Sequence, residues 1–260
     1  MSLTYDAPVL KNLDDPAVAP LDGFLAHLSR AAYPGAHLVE FFTWMRYLPS
    51  WMAKWKRDAV AGHEKYSTTF LQLYDVVCQR VAGGDQRPSF ASLLAQNEYG
   101  LNVKESAWLT GSLYAAGSEI TAAVLSWFLL AMVIFPDVQR KAQAELDEVV
   151  GRGQLPTFAD YENLPYIRAL VKETLRWRPV DPQGIPRRVV QDDMYGGYHI
   201  PKGAICIPNV WAMNRDPDIY GADAHEFNPS RHLDSEGKIK PDIVDMKEES
   251  HGKLLVFCSL

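Results

Sequence analysis

The sequence predicts a mainly α-helical fold with one long central helix and a small β region. Three observations predict it. Apolar residues recur at helical spacing through most of the chain as far as Trp177. Across residues 110–135 the only charged residue is Glu119, and residues 120–135 are almost continuously apolar. After Pro179, short β-like runs separated by glycine and proline turns replace the helical pattern.

Taken in order, residues 1–20 are rich in Pro and Asp and predict a loop. Residues 21–32 and 37–48 have helical spacing and are separated by Tyr33-Pro34-Gly35. The second of these is crowded with Phe41, Phe42, Trp44 and Tyr47 and stops at Pro49. Residues 51–81 predict a long helix ended by Gly83-Gly84, and residues 88–96 a short one. The longest helix, 103–135, would run on the order of 50 Å at 1.5 Å per residue. Residues 137–150 are rich in helix formers and stop at Gly151. Thr157 can cap a short turn, and residues 165–177 form a helix ended by Pro179. Strands are expected at 187–190 and 204–207, with turns at Gly196-Gly197 and Pro201-Lys202-Gly203. One more helical turn or two fits 209–215. Residues 216–233 read as an irregular loop with Pro217, Gly221 and Pro229, and residues 234–250 as a charged, aperiodic tail.

Composition narrows the function classes. At 47% hydrophobic and 22% charged, the 260 residues are those of an ordinary globular protein, and disorder is excluded. Seven Trp, 12 Tyr and 10 Phe supply a large core. A net charge of −6 argues against nucleic-acid binding, which needs a basic face. Cys78, Cys206 and Cys258 are odd in number and far apart, so they build neither a disulfide framework nor a zinc pattern. The chain reads as soluble, acidic and intracellular. Its first 20 residues carry Asp6, Asp14 and Asp15 without an apolar run, so no signal peptide or anchor is expected there. Residues 110–135 are long enough for a membrane span, but Glu119 would cost a few kcal/mol in hydrocarbon. A buried central helix and no membrane span are therefore expected. Dinucleotide, P-loop and nucleophile-elbow motifs are absent, and the seven histidines are scattered, so no metal site is predicted.

Three features carry chemistry. In Ala116-Gly117-Ser118-Glu119-Ile120-Thr121, a helix-interior glycine costs about 1 kcal/mol relative to alanine. A small-residue patch with a buried acid suits either the approach of something flat or tight helix–helix packing. In Glu173-Thr174-Leu175-Arg176, a spacing of three puts acid and guanidinium on one helix face, either as an exposed pair or as a functional one. In Phe227-Asn228-Pro229-Ser230-Arg231, the loop arginine is either solvated or the third partner of a buried pair.

In this order the three resemble the cytochrome P450 family, and the fungal microsomal members closely. The first looks like the oxygen-binding segment of the long central helix, the second matches E-x-x-R, and the third matches F-x-P-x-R. Tyr198-His199-Ile200-Pro201-Lys202-Gly203 and Asn209-Val210-Trp211-Ala212-Met213-Asn214-Arg215-Asp216-Pro217 match the strand-and-turn region between them. Phe135-Pro136-Asp137-Val138-Gln139 and Leu164-Pro165-Tyr166 fit upstream. The resemblance covers residues 21–233 and leaves 234–260 as a divergent tail; the whole chain is expected to be one incomplete, truncated P450 domain.

The resemblance implies a haem b cofactor whose iron carries a cysteine thiolate, and a monooxygenase that oxidises a small apolar organic substrate with O2. It implies electrons from NADPH-cytochrome P450 reductase, and an endoplasmic-reticulum membrane location for full-length members. Glu119 and Thr121 become the candidate catalytic residues of proton delivery. Ala116, Gly117 and Arg187 become cofactor-binding residues, Arg187 as partner of a haem propionate. Glu173, Arg176 and Arg231 become the structural ion triad.

The departures set further expectations. In the family a threonine follows the central acid directly; here that position is Ile120, and Thr121 lies about 100° further round the helix. The haem loop F-x-x-G-x-R-x-C-x-G is not matched around Cys258, whose preceding residues lack its phenylalanine, second glycine and arginine. The family's N-terminal anchor and first helices are not matched either. The sequence therefore predicts a fragment that does not hold haem, is inactive as written, and leaves apolar surface uncovered along residues 41–47 and 125–135.

Overall fold

The structure, a computed structural model, describes residues 2–6, 19–32, 35–85, 87–96 and 99–240. They fall into two compact units, Met1–Ile120 and Thr121–Leu260.

The first unit contains α1 (Ser2–Tyr5), α2 (Ala19–Ala32), α3 (Lys54–Ala82), α4 (Phe90–Ala95) and the start of α5 (Val103–Ile134). Tyr66, Phe70, Tyr74 and Val77 recur every three or four residues along α3 and form one buried face. Against it α5 sets Ala107, Tyr114 and Ala115. A side chain at Gly111 would strike the ring of Phe70, so glycine permits the close approach of the two helices. Phe24 and Trp108 meet that ring edge-on at 5.2 and 5.1 Å. α1 lies where the sequence predicted a loop. It holds because Tyr5 is buried against Tyr114 and Arg80 grips the carbonyl of Tyr5 at 3.1 Å and the Asp6 carboxylate at 3.2 Å.

The helix expected at 37–48 is instead two 3-10 turns, Leu38–Glu40 and Thr43–Tyr47. A short helix is held by burying an apolar face, and here Phe41, Phe42, Trp44 and Tyr47 are all more than half exposed. Carbonyls at the end of this segment and just beyond it are taken by side chains of α3. Lys56 Nζ donates to those of Arg46 and Leu48, and Arg57 Nη1 to those of Ser50 and Trp51.

The expectation of a buried central helix needs correction. α5 is buried on one face through Ala115 and again at Ala131 and Met132, but Ile120, Leu125, Leu129 and Val133 are exposed. A helix apolar on all sides needs cover on all sides, and the described residues cover only one. By length and composition α5 is also apolar enough to cross a membrane. Uncovered apolar surface was expected along 125–135, and Leu125, Leu129, Leu130, Val133 and Ile134 supply it.

The second unit continues with α6 (Pro136–Val149), a 3-10 turn (Phe158–Asn163), α7 (Pro165–Trp177), four short strands, α8 (Val210–Met213), α9 (Pro217–Tyr220) and a 3-10 turn (Pro229–His232). α7 has the bounds its sequence predicts, and Thr157 opens the turn before it with a capping box to Asp160. β1 (Arg187–Arg188) pairs antiparallel with β4 (Ile205–Cys206), Arg187 opposite Cys206. Both strands are two residues shorter than expected. β2 (Asp193–Tyr195) and β3 (Tyr198–Ile200) form a hairpin around Gly196 and Gly197, at φ +57° and +83°. Two successive positive φ values match the twist of the flanking strands. Residues 216–233 are more ordered than predicted, because Asp216 caps α9 and Asn228 caps the last 3-10 turn. The core gathers Ala131, Met132, Ala142, Leu170, Trp177 and Phe227, with Phe135 stacked on Phe227 at 5.1 Å. Most of the divergent tail, residues 241–260 with Cys258, lies outside the described residues.

Candidate functional site

The last turns of α7 place Glu173 and Arg176 on its buried face, 0% and 1% exposed. The pair is a two-pronged fork: Arg176 Nε donates to Glu173 Oε2 and Nη2 to Oε1, both at 2.7 Å. The other Arg176 donors reach main-chain oxygens. Nη1 donates to the carbonyls of Asn214 and Ala224 at 2.7 and 2.5 Å, and Nη2 to that of Glu226 at 2.7 Å. Every N–H of the guanidinium is thereby used, which a buried arginine requires.

The loop following α9 brings the rest. Arg231 Nε donates to Glu173 Oε1 at 3.1 Å, and its two amino groups grip Asp223, both carboxylate oxygens at 3.1 Å and the carbonyl at 2.8 Å. Nη1 also donates to the carbonyl of Tyr220 at 2.6 Å. The backbone N–H of Asn228 donates to Glu173 Oε1 at 2.8 Å, and His232 Nε2 lies 2.9 Å from Oε2. A carboxylate only accepts, so that ring nitrogen carries the proton. Burial pushes the Glu173 carboxyl up, but the hydrogen bonds from Arg176 and His232, the Arg176 charge and the Asn228 amide outweigh it and hold it at about 2. Burial pushes the Tyr220 hydroxyl up to about 12, and the Arg176 guanidinium lies 5.1 Å from its ring centre. Hydrogen bonds from Arg231 and Asn228 lower Asp223.

Glu173, Arg176 and Arg231 are thus one buried cluster. Sequence reasoning missed His232, Asp223 and the Asn228 amide. His232 carried a signal in its position directly after Arg231, whereas a main-chain donor leaves no mark on residue type.

The α5 residues are not drawn into a site. Ala116, Gly117, Glu119 and Thr121 are all exposed, which corrects the reading of a buried acid. A side chain added at Gly117 would meet nothing within 4 Å, so the tight packing offered as an alternative belongs to Gly111 instead. Arg187 is half-buried in β1, and its guanidinium has no partner among the described residues.

A mainly helical frame with a Glu-x-x-Arg fork locked by a loop arginine defines the class to which the motifs pointed. The chain belongs to the cytochrome P450 family, whose sequence model matches residues 8–246. It is similar to two cytochrome P450 monooxygenases of Armillaria gallica. One is 56% identical over 253 residues, which is 96% of this chain and 48% of the relative; the other is 52% identical over 96% and 49%. It is also similar to cytochrome P450 monooxygenase 58 of Postia placenta, 50% identical over 96% of this chain and 48% of the relative. The chain spans about half the length of the curated relatives it matches.

The family's cofactor is haem iron, whose thiolate ligand needs an electropositive, pre-shaped setting. Of the described cysteines, Cys78 does not fit that requirement. Burial pushes the Cys78 thiol up, away from the thiolate form. Cys206 sits in β4 with its main chain in the ladder opposite Arg187. Among the described residues no three His, Cys, Asp or Glu side chains gather as a metal site.

Proposed function

We propose that this chain carries the structural core of a cytochrome P450 monooxygenase that oxidises a small apolar organic substrate with O2 and electrons from NADPH-cytochrome P450 reductase, at the endoplasmic-reticulum membrane in full-length form. The observation that supports this reading is the Glu173–Arg176–Arg231 cluster, in which the first two are fully buried and the Arg231 side chain is 6% exposed. In the same reading Arg187, whose guanidinium has no partner among the described residues, would meet a haem propionate. Ala116 and Gly117 would leave the α5 backbone open to the cofactor, and Glu119 and Thr121 would stand on the route of the protons that haem-based oxidation consumes.

A second reading is supported by the cysteines. Burial disfavours a thiolate at Cys78, and Cys258 stands in a run without the family's haem-loop residues. In this reading the chain is a non-catalytic remnant that does not bind haem. A carbon-monoxide difference spectrum of the reduced, purified chain separates the two. A thiolate-type Soret band that Cys258→Ser abolishes favours the monooxygenase. No such band after haem supplementation favours the remnant.

A further inference from the structure

The start of α7 lacks a cap of its own. Pro165 occupies its first position and Leu164 the capping position, where no side-chain oxygen is available. The free amides of the first turn are nonetheless satisfied. The N–H of Tyr166 donates to Glu145 Oε1 at 2.9 Å and that of Ile167 to Oε2 at 2.8 Å, so the cap is a carboxylate from α6. A negative charge at this end also meets the positive end of the helix dipole. On α6, Val138, Ala142 and Glu145 are spaced i, i+4, i+7 and share a face. Val138 and Ala142 pack in the core with Leu170, Tyr166 and Ile167, so Glu145 extends an apolar stripe that faces α7.

We propose that Glu145 is the positioning residue of the buried cluster: by clamping the first turn of α7 it fixes the height and rotation at which Glu173 and Arg176 meet residues 223–232. Glu173 stands seven residues beyond Tyr166, about 10 Å along the axis. A slip of one residue would turn it by about 100° and carry it away from Arg231 and the Asn228 amide. The inference concerns the cluster itself and holds whether or not the chain performs the proposed oxidation.

Amide hydrogen exchange on the full chain tests it, with Asn228 as reporter because its N–H is bonded to Glu173. In Glu145→Ala, exchange at Tyr166 and Ile167 should accelerate about fivefold or more, the usual consequence of losing a helix cap. Asn228 should accelerate with them, while Phe70 and Val77 in α3 stay as in the parent. Glu145→Gln keeps one acceptor oxygen on a side chain of the same length and should restore part of the protection at Asn228. Parent-like exchange at Asn228 in Glu145→Ala would overturn the proposal, since the cap would then act on the helix end alone. Equal acceleration in α3 would overturn it too, as general destabilisation. If Glu145→Ala does not fold, Glu145→Gln is read by itself: partial loss at Asn228 supports the proposal, and parent-like exchange there defeats it.

Discussion

Asn228 presents its backbone N–H to Oε1 of Glu173 at 2.8 Å, the same oxygen that Arg231 Nε meets at 3.1 Å. The loop is therefore bound to α7 by its main chain and by a side chain at one atom. Because main-chain and side-chain contacts converge, loss of either leaves charge buried without its full set of partners.

Arg231→Ala should cost roughly 3–5 kcal/mol, since it removes a charged partner of the buried Glu173 and leaves the Asp223 carboxylate and the Tyr220 and Asp223 carbonyls without their donor. The chemical-denaturation midpoint of the second unit checks this. An unchanged midpoint would show that the cluster contributes nothing to stability.

Acid should weaken the same unit. The folded Glu173 carboxyl is held at about 2 against an ordinary 4.5. A depressed folded value means that its stabilisation is complete above the ordinary value and is lost as pH falls toward the folded one. Unfolding followed at pH 6, 4 and 3 should show stability falling between 4 and 3, by up to a few kcal/mol in all. In Glu173→Gln that part of the pH dependence should vanish; its persistence would place the titration elsewhere.

Two glycines of α5 should respond oppositely to alanine. At Gly111 the added methyl strikes Phe70, which is fully buried, and overpacking of about 1–3 kcal/mol exceeds the gain of about 1 kcal/mol in helix propensity. At Gly117 nothing lies within 4 Å and the helix gain stands alone. Thermal unfolding should put Gly111→Ala below the parent and Gly117→Ala above it. The reverse order would contradict the packing described.

The exposed aromatics at 41–47 should make the purified chain bind an apolar dye and scatter light as its concentration rises. Replacing Phe41 and Trp44 together by Ser should reduce both signals without moving the unfolding midpoint, because neither side chain is packed. A lowered midpoint would mean that they are part of a core.

Most helices were legible because burial imposes a period. The Tyr66–Val77 face of α3 and the whole of α7 follow it, and their bounds fall within a few residues of expectation. The segment 37–48 deceived because its aromatics have helical spacing without a surface to pack on. For α5, the apolar sequence records that a cover is required but not whether these residues provide it. The same division holds in the cluster. Glu173, Arg176 and Arg231 were visible as charged residues in ordered motifs. The carbonyls of Asn214, Ala224 and Glu226 that saturate Arg176 were not, since any residue supplies a carbonyl.

Fifty-five residues separate Glu173 from Asn228, and this sets an order on synthesis. At roughly 5–20 residues per second, the helix that carries Glu173 and Arg176 leaves the ribosome some three to ten seconds before the loop that encloses it. During that interval the fork has only itself and solvent. A nascent chain halted near residue 215 would hold a helix whose charged face is complete in sequence and wet in fact, a natural stage for a chaperone to engage it.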